Sequence, residues 1–154
     1  MTYRFATLSD LDFLVAERLR FIKVTPEHEH YEEIRHNCRA FFQKGLAEQS
    51  CDAVIAEKDG CCIGTAIAFY YLSVPSSRNH TGKNAYITSV FVEPDYRRRG
   101  IASEMLGRIV QKAQAYGCVN IMLTATDMGK PLYEKLGFIQ TPGAMLYAPA
   151  EAKR

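Results

Sequence analysis

Apolar positions recur at three- and four-residue intervals in three stretches of the chain, with short β-branched and aromatic runs between them. Leu11, Leu14, Val15, Leu19 and Ile22 form the first helical stripe. Ser9 with Asp12 three residues on reads as its capping box. Tyr31, Ile34, Cys38, Phe41, Phe42 and Leu46 form the second, with Thr25-Pro26 as N-cap and first helical residue. Ile101, Met105, Leu106, Ile109, Val110 and Ala113 form the third, closed by Gly117 just past its end. Strand signals fall at residues 3–6, 51–58, 61–73, 86–92 and 120–125. Asp59-Gly60 turns the second into the third. The third is apolar on both faces, as the centre of a covered sheet requires. Residues 131–136 read as a short helix ended by Gly137, and residues 138–140 and 144–147 as two closing strands.

The predicted order is βαα-βββ-α-β-α-ββ. Antiparallel strands come first and a crossover helix follows. The expected fold class is therefore α/β: a mixed, mostly antiparallel central sheet flanked by helices on both faces. With 154 residues, 47% of them apolar, the chain can bury one proper core, and a single domain over 1–154 is expected. Five cysteines, an odd number with no C-x-x-C, read as reduced, mostly core thiols of a cytoplasmic protein. The Cys and His residues lack zinc spacing, so no metal is expected. No leader signature and no bilayer-length apolar run is visible, so neither secretion nor a membrane partner is expected. A net charge of +2 argues against nucleic acid as partner.

The chemistry concentrates where the strand ending at Val92 meets the third helix. Pro94 stops the strand, since it has no N–H to give to a ladder. Arg97, Arg98 and Arg99 then precede Gly100, at the helix start. A helix N-terminus already carries about half a positive charge, so three cations there are unfavourable without an anion. Free backbone N–H groups, a glycine allowing close approach and flanking guanidinium groups suit a phosphate or pyrophosphate. A solvated basic turn is the plainer alternative.

Two motifs in order resemble those of the GNAT superfamily of acyl-CoA-dependent N-acetyltransferases. Arg97-Arg98-Arg99-Gly100-Ile101-Ala102 is similar to its [Gln/Arg]-x-x-Gly-x-[Gly/Ala] pyrophosphate loop, behind the strand Val90-Phe91-Val92. Pro131-Leu132-Tyr133-Glu134-Lys135-Leu136-Gly137-Phe138 is similar to its Tyr-x-x-x-Gly-Phe segment. The resemblance covers nearly the whole chain in element order. It implies acetyl-CoA as co-substrate, with its pyrophosphate on the backbone N–H groups of Arg98, Arg99, Gly100, Ile101, Ala102 and Ser103. Phe91 and Val92 would pair with the pantetheine arm as an added strand does. The Val92 N–H would face the thioester oxygen, in a gap where this strand splays from the next. Tyr133 would be the general acid that protonates the departing thiolate.

Two positions depart from the pattern. Some family members carry a Glu base six residues before the position of Val92; here it is Tyr86. A lysine-like amine has a pKa of about 10.4 and must lose a proton to attack. Tyr86 is ranked first as its acceptor, ahead of Glu93, His80 or an ordered water chain. Where the family often has an Asn contacting the cofactor, this chain has Thr126. The resemblance also implies an acceptor pocket built from residues 21–31, Tyr86, Thr88 and the turn at Thr141-Pro142-Gly143. Glu27, Glu29, Glu32 and Glu33 are candidates there to attract a cationic amine. The expected activity is transfer of acetyl from acetyl-CoA to a primary amine, small or peptidic, by direct attack in a ternary complex. The alternative is a non-catalytic acyl-CoA-binding sensor or interaction domain on the same fold. The apolar closing strands leave a sheet edge that a homodimer would cover.

Overall fold

A computed structural model of the chain describes residues 1–143. They fall into two compact units, Met1–Thr124 and a smaller one beginning at Ala125. The first holds β1 (Thr2–Phe5), α1 (Leu11–Phe21), α2 (Tyr31–Ala47), β2 (Cys51–Lys58), β3 (Cys61–Leu72), β4 (Lys83–Val92), α3 (Ile101–Tyr116) and β5 (Asn120–Leu123). Its five strands form one sheet in sequence order. Strands β1 to β4 are antiparallel and β5 runs parallel to β4. The mixed, mostly antiparallel sheet is the expected one. Asp59 (φ 52°) and Gly60 (φ 78°) turn β2 into β3 with two left-handed residues, as a two-residue hairpin needs.

The two faces of the sheet follow from its alternation. Cys51, Ala53 and Ile67 pack with Leu11, Leu14, Val15 and Leu19 of α1 and Phe42 of α2. On the other face Tyr70 and Ala85 pack with Ala113 of α3 and with Cys118. Gly64 of β3 lies on this face. A Cβ there would stand 3.1 Å from Met105 Cε and 2.9 Å from the Phe91 carbonyl oxygen, so only glycine lets α3 and β4 come this close. None of the described helices is long and apolar enough to cross a membrane.

Several element boundaries differ from the sequence expectation. The first capping box is Thr7 with Asp10, not Ser9 with Asp12. The Thr7 N–H donates to Asp10 Oδ2 at 2.8 Å, and Arg4 grips the same carboxylate at 2.8 and 2.9 Å. A 3-10 turn at Leu8–Asp10 therefore precedes α1. Thr25-Pro26 does not begin α2. The His28 N–H closes a turn on the Thr25 carbonyl and the Tyr31 N–H another on that of His28, each at 2.9 Å, and the helix starts only at Tyr31. Strand β4 begins at Lys83, earlier than its apolar run suggests, because its buried Asn84 is satisfied from within the protein. Asn84 Oδ1 accepts from Asn79 at 3.1 Å and from Asn120 at 3.0 Å, while its Nδ2 donates to the Gly82 carbonyl at 2.6 Å and to Ser73 Oγ at 3.0 Å. Strand β5 stops at Leu123, two residues short of its expected end.

In the second unit α4 spans Lys130–Lys135. Residues 138–140 are not in a strand. Their expected partner, residues 144–147, lies outside the described residues.

Candidate active site

Strand β4 is paired on both sides only over its first half. Its contact with β5 runs from Asn84↔Asn120 to Ile87↔Leu123 and ends there. From Thr88 to Val92 the edge facing β5 has no strand partner among the described residues. The Glu93 N–H donates to the Ile63 carbonyl of β3 at 2.9 Å. Strand alternation then turns the N–H and C=O of Val92 to the opposite, open edge. The carbonyl of Val92 is taken there by Arg97 Nε at 2.9 Å. Arg97 is thus a brace between strand end and turn, and its guanidinium also lies 5.9 Å from the Phe91 ring.

The turn that follows is held open at the start of α3. Arg98 has a left-handed φ of 59° and Gly100 one of 79°. Gly100 is the N-cap, and no side-chain hydrogen bond caps the helix among the described residues. The first intrahelical bond runs from the Glu104 N–H to the Gly100 carbonyl at 3.0 Å. The N–H groups of Ile101, Ala102 and Ser103 therefore point out of the helix end without intrahelical partners. Arg98 and Arg99 are exposed and form no ion pair among the described residues; Arg99 lies 5.5 Å over the Tyr96 ring. Donors, dipole and charge all favour an anion at this end.

On the α1/α2 face, β4 contributes Tyr86, Thr88 and Ser89 to a cavity of about 600 Å³. Arg18 of α1 and Phe41 of α2 line it as well, with Phe69 of β3. Tyr86 lies 5.4 Å from Phe69, ring to ring, and its hydroxyl is bonded to Thr124 Oγ1 at 2.6 Å. None of Glu27, Glu29, Glu32 and Glu33 lines this cavity; Glu32 pairs with Arg35. Of the other candidate bases, Glu93 is tied to Arg20 at 2.5 Å and His80 is an exposed loop residue.

The second unit brings Thr126 and Tyr133 together around Gly129. The Gly129 N–H donates to Thr126 Oγ1 at 3.2 Å, and a Cβ on Gly129 would meet the Tyr133 ring at 3.0 Å. The Tyr-x-x-x-Gly-Phe spacing has a local cause. Gly137, at φ 90°, ends α4. The Phe138 N–H bonds back to the Tyr133 carbonyl and the Gly137 N–H to that of Glu134, each at 3.0 Å. This pair of bonds, with the Phe138 ring edge-on to Tyr133 at 6.0 Å, is the glycine-closed helix end that covers its last turn with an apolar residue. Tyr133 is half-buried, and burial pushes its phenol above the ordinary tyrosine pKa.

Residues 13–138 match the profile of the acetyltransferase (GNAT) family. The chain belongs to this family. It is 31% identical over 84 residues to the thialysine N-epsilon-acetyltransferase of Bos taurus, covering 53% of this chain and 47% of that one. The chain thus spans about half the length of the curated relatives it matches. The crystal structure of a predicted acetyltransferase from Clostridium acetobutylicum, with acetyl-CoA, superposes with a TM-score of 0.86 at 31% identity and 99% coverage of both chains. A GCN5-related N-acetyltransferase from Ralstonia eutropha shares the fold, with a TM-score of 0.80 at 21% identity over 96% of this chain and 97% of that one.

Within this GNAT chain, Phe91, Val92 and the segment from Arg97 to Ser103 lie on one continuous strand–turn–helix, with Tyr86 six residues upstream on the same strand. Sequence reasoning passed over Arg18 and Ser89. Arg18 follows Leu11, Leu14 and Val15 by seven, four and three residues, so it stands in register with the apolar stripe. A cation at such a position is a readable signal. Ser89 gave none, because its placement depends on a β-bulge.

Proposed function

We propose that this chain moves an acetyl group from acetyl-CoA to a primary amine by direct attack in a ternary complex. The observation that carries the reading is one continuous feature: the unpaired edge of β4 runs directly into the uncapped start of α3. The edge offers backbone groups to an extended amide-bearing arm, and the helix start offers N–H groups and two arginines, Arg98 and Arg99, without an ion pair among the described residues, to a pyrophosphate. These residues fit acetyl-CoA in both chemistry and order. The similarity to a protein crystallised with acetyl-CoA supports the same ligand here.

In this reading the Val92 N–H steadies the negative charge that develops on the thioester oxygen, and Phe91 and Val92 hold the pantetheine arm. The pyrophosphate rests on the N–H groups from Arg98 to Ser103. Arg97 acts through its bond to the Val92 carbonyl, fixing the strand end against the turn. Tyr133 donates the proton taken up by the leaving sulfur. A phenol is protonated at neutral pH, as a general acid requires, and partial burial favours that neutral form further. Tyr86 is the candidate to accept the proton of the incoming amine, and Thr126 contributes to the cofactor side of the site.

Release of the coenzyme A thiol from acetyl-CoA, followed in the presence of a panel of amines including thialysine, tests this. Amine-dependent release with matching acetylated product is expected. Saturable binding of acetyl-CoA with no release for any amine would overturn the catalytic reading in favour of an acyl-CoA-binding sensor.

A further inference from the structure

The cavity on the α1/α2 face has an unusual charge pattern for a site expected to receive an amine. Among the described residues, Arg18 is its only formally charged lining side chain. Arg18 makes no ion pair among the described residues, although its neighbours in sequence and space do. Its Nη1 donates to Ser89 Oγ at 2.6 Å, and Thr88 Oγ1 stands 3.4 Å from the same nitrogen.

Consecutive residues of a regular strand face opposite sides of the sheet, so Thr88 and Ser89 should not share one partner. A bulge brings them together. Thr88 pairs with Ile67 and Phe91 with Thr65, leaving Ser89 and Val90 opposite a single residue, Ala66. Ser89 takes a left-handed φ of 51° to do this and is buried. A non-glycine residue held there is strained, and such strain is retained where it places a group for use. Both hydroxyl oxygens face the guanidinium, so their protons, with the remaining guanidinium N–H groups, are left to donate to a further acceptor. Phe41, Phe69 and Tyr86 supply apolar walls beside this cluster.

We infer that Arg18, Ser89 and Thr88 form a carboxylate-binding subsite, and that the acceptor is an amino-acid-like molecule carrying both a primary amine and a carboxylate. The inference rests on the acetyl-transfer reading for the fate of the amine, but not for the anion. A planar guanidinium meets a carboxylate with two parallel hydrogen bonds, and among the described residues no acid lines the cavity to compete for it. The same cation disfavours polyamines and other polycations. The apolar stem between amine and carboxylate lies on the aromatic walls.

Matched acceptor pairs test this: lysine against cadaverine, its decarboxylated twin, and against lysine amide. The carboxylated member should have the lower KM, by roughly ten- to hundredfold, the worth of hydrogen bonds to a charged group. Arg18→Gln should erase that difference while leaving the KM for acetyl-CoA unchanged, and Arg18→Lys should recover only part of it. Equal KM values for the twins, or an equal loss for both in Arg18→Gln, would overturn the subsite. If no acceptor is turned over, calorimetric binding of lysine and cadaverine to wild type and Arg18→Gln decides the matter by itself. Carboxylate-dependent binding lost in the variant upholds the subsite even if acetyl transfer fails; binding indifferent to the carboxylate rejects it even if transfer succeeds. Thermal melting of each variant confirms that it is folded.

Discussion

Gly100 allows the pyrophosphate reading to be tested without touching a charged group. It sits at φ 79°, and among the described residues no atom outside Gly100 and its two chain neighbours lies within 4 Å of where its Cβ would be. Gly100→Ala therefore introduces no clash. Its whole effect comes from the left-handed backbone, which costs an L-residue about 1–2 kcal/mol. That energy has two outlets. If the turn keeps its shape, the protein melts lower by roughly 2–8 °C, taking 2–4 °C per kcal/mol for a chain of this size. If the turn relaxes in the free protein, the N–H groups of Ile101 to Ser103 are re-formed only on binding, and the KM for acetyl-CoA rises about 5- to 30-fold. The two losses should together account for the backbone cost. Asn tolerates this conformation far better, so Gly100→Asn should recover most of both. Thermal melting and initial rates at varied acetyl-CoA read the two outlets separately. The reasoning is refuted if Ala and Asn behave alike, or if Ala lowers kcat with the KM for acetyl-CoA and the melting temperature both unchanged.

Three further outcomes follow from other parts of the structure. Tyr133→Phe keeps the ring against Phe138 and removes only the proton donor, so kcat should fall about 10²- to 10⁴-fold with little change in melting temperature or in acetyl-CoA affinity; an unchanged kcat would make Tyr133 a packing residue. The hydrogen bond from Arg4 holds the Asp10 carboxyl down at about 2. A carboxyl depressed on folding stabilises above its unfolded pKa, and that stabilisation is lost as pH falls from about 4 towards 2, so Asp10→Asn should lower the melting temperature at pH 7 and make little difference at pH 2. Burial pushes the Cys51 thiol up to about 12 and that of Cys62 to about 11, whereas Cys61 is exposed, so mass mapping after brief alkylation at pH 8 should find Cys61 labelled first and Cys51 unlabelled.

The elements legible in the sequence are those whose cause is local. Helix α3 carries its own stripe, with left-handed glycines at both ends, and the Asp59-Gly60 hairpin is written in two adjacent residues. The motif ending at Phe138 is local too, since it closes a single helix end. What escaped depends on residues distant in sequence. Asn84 breaks the apolar pattern of β4 and reads as loop until Asn79, Ser73 and Asn120 are seen to satisfy it. Thr25-Pro26 has the residue types of a helix start, but the backbone makes turns before α2. The bulge at Ser89 has no glycine to announce it and is fixed by pairing with β3 on one side and by Arg18 on the other. Arg18 itself was visible as a cation in an apolar stripe, but its meaning came only with the hydroxyls it faces. The acidic run from Glu27 to Glu33 was the more conspicuous charge feature, and it does not line the cavity.

That the edge of β4 and the start of α3 together hold acetyl-CoA is tested most directly by backbone amide NMR during titration with acetyl-CoA. The largest shifts, saturating together, should fall at Val92 and at Arg98 through Ser103. Saturable binding that leaves the Val92 and Ile101 to Ser103 amides unmoved would contradict it.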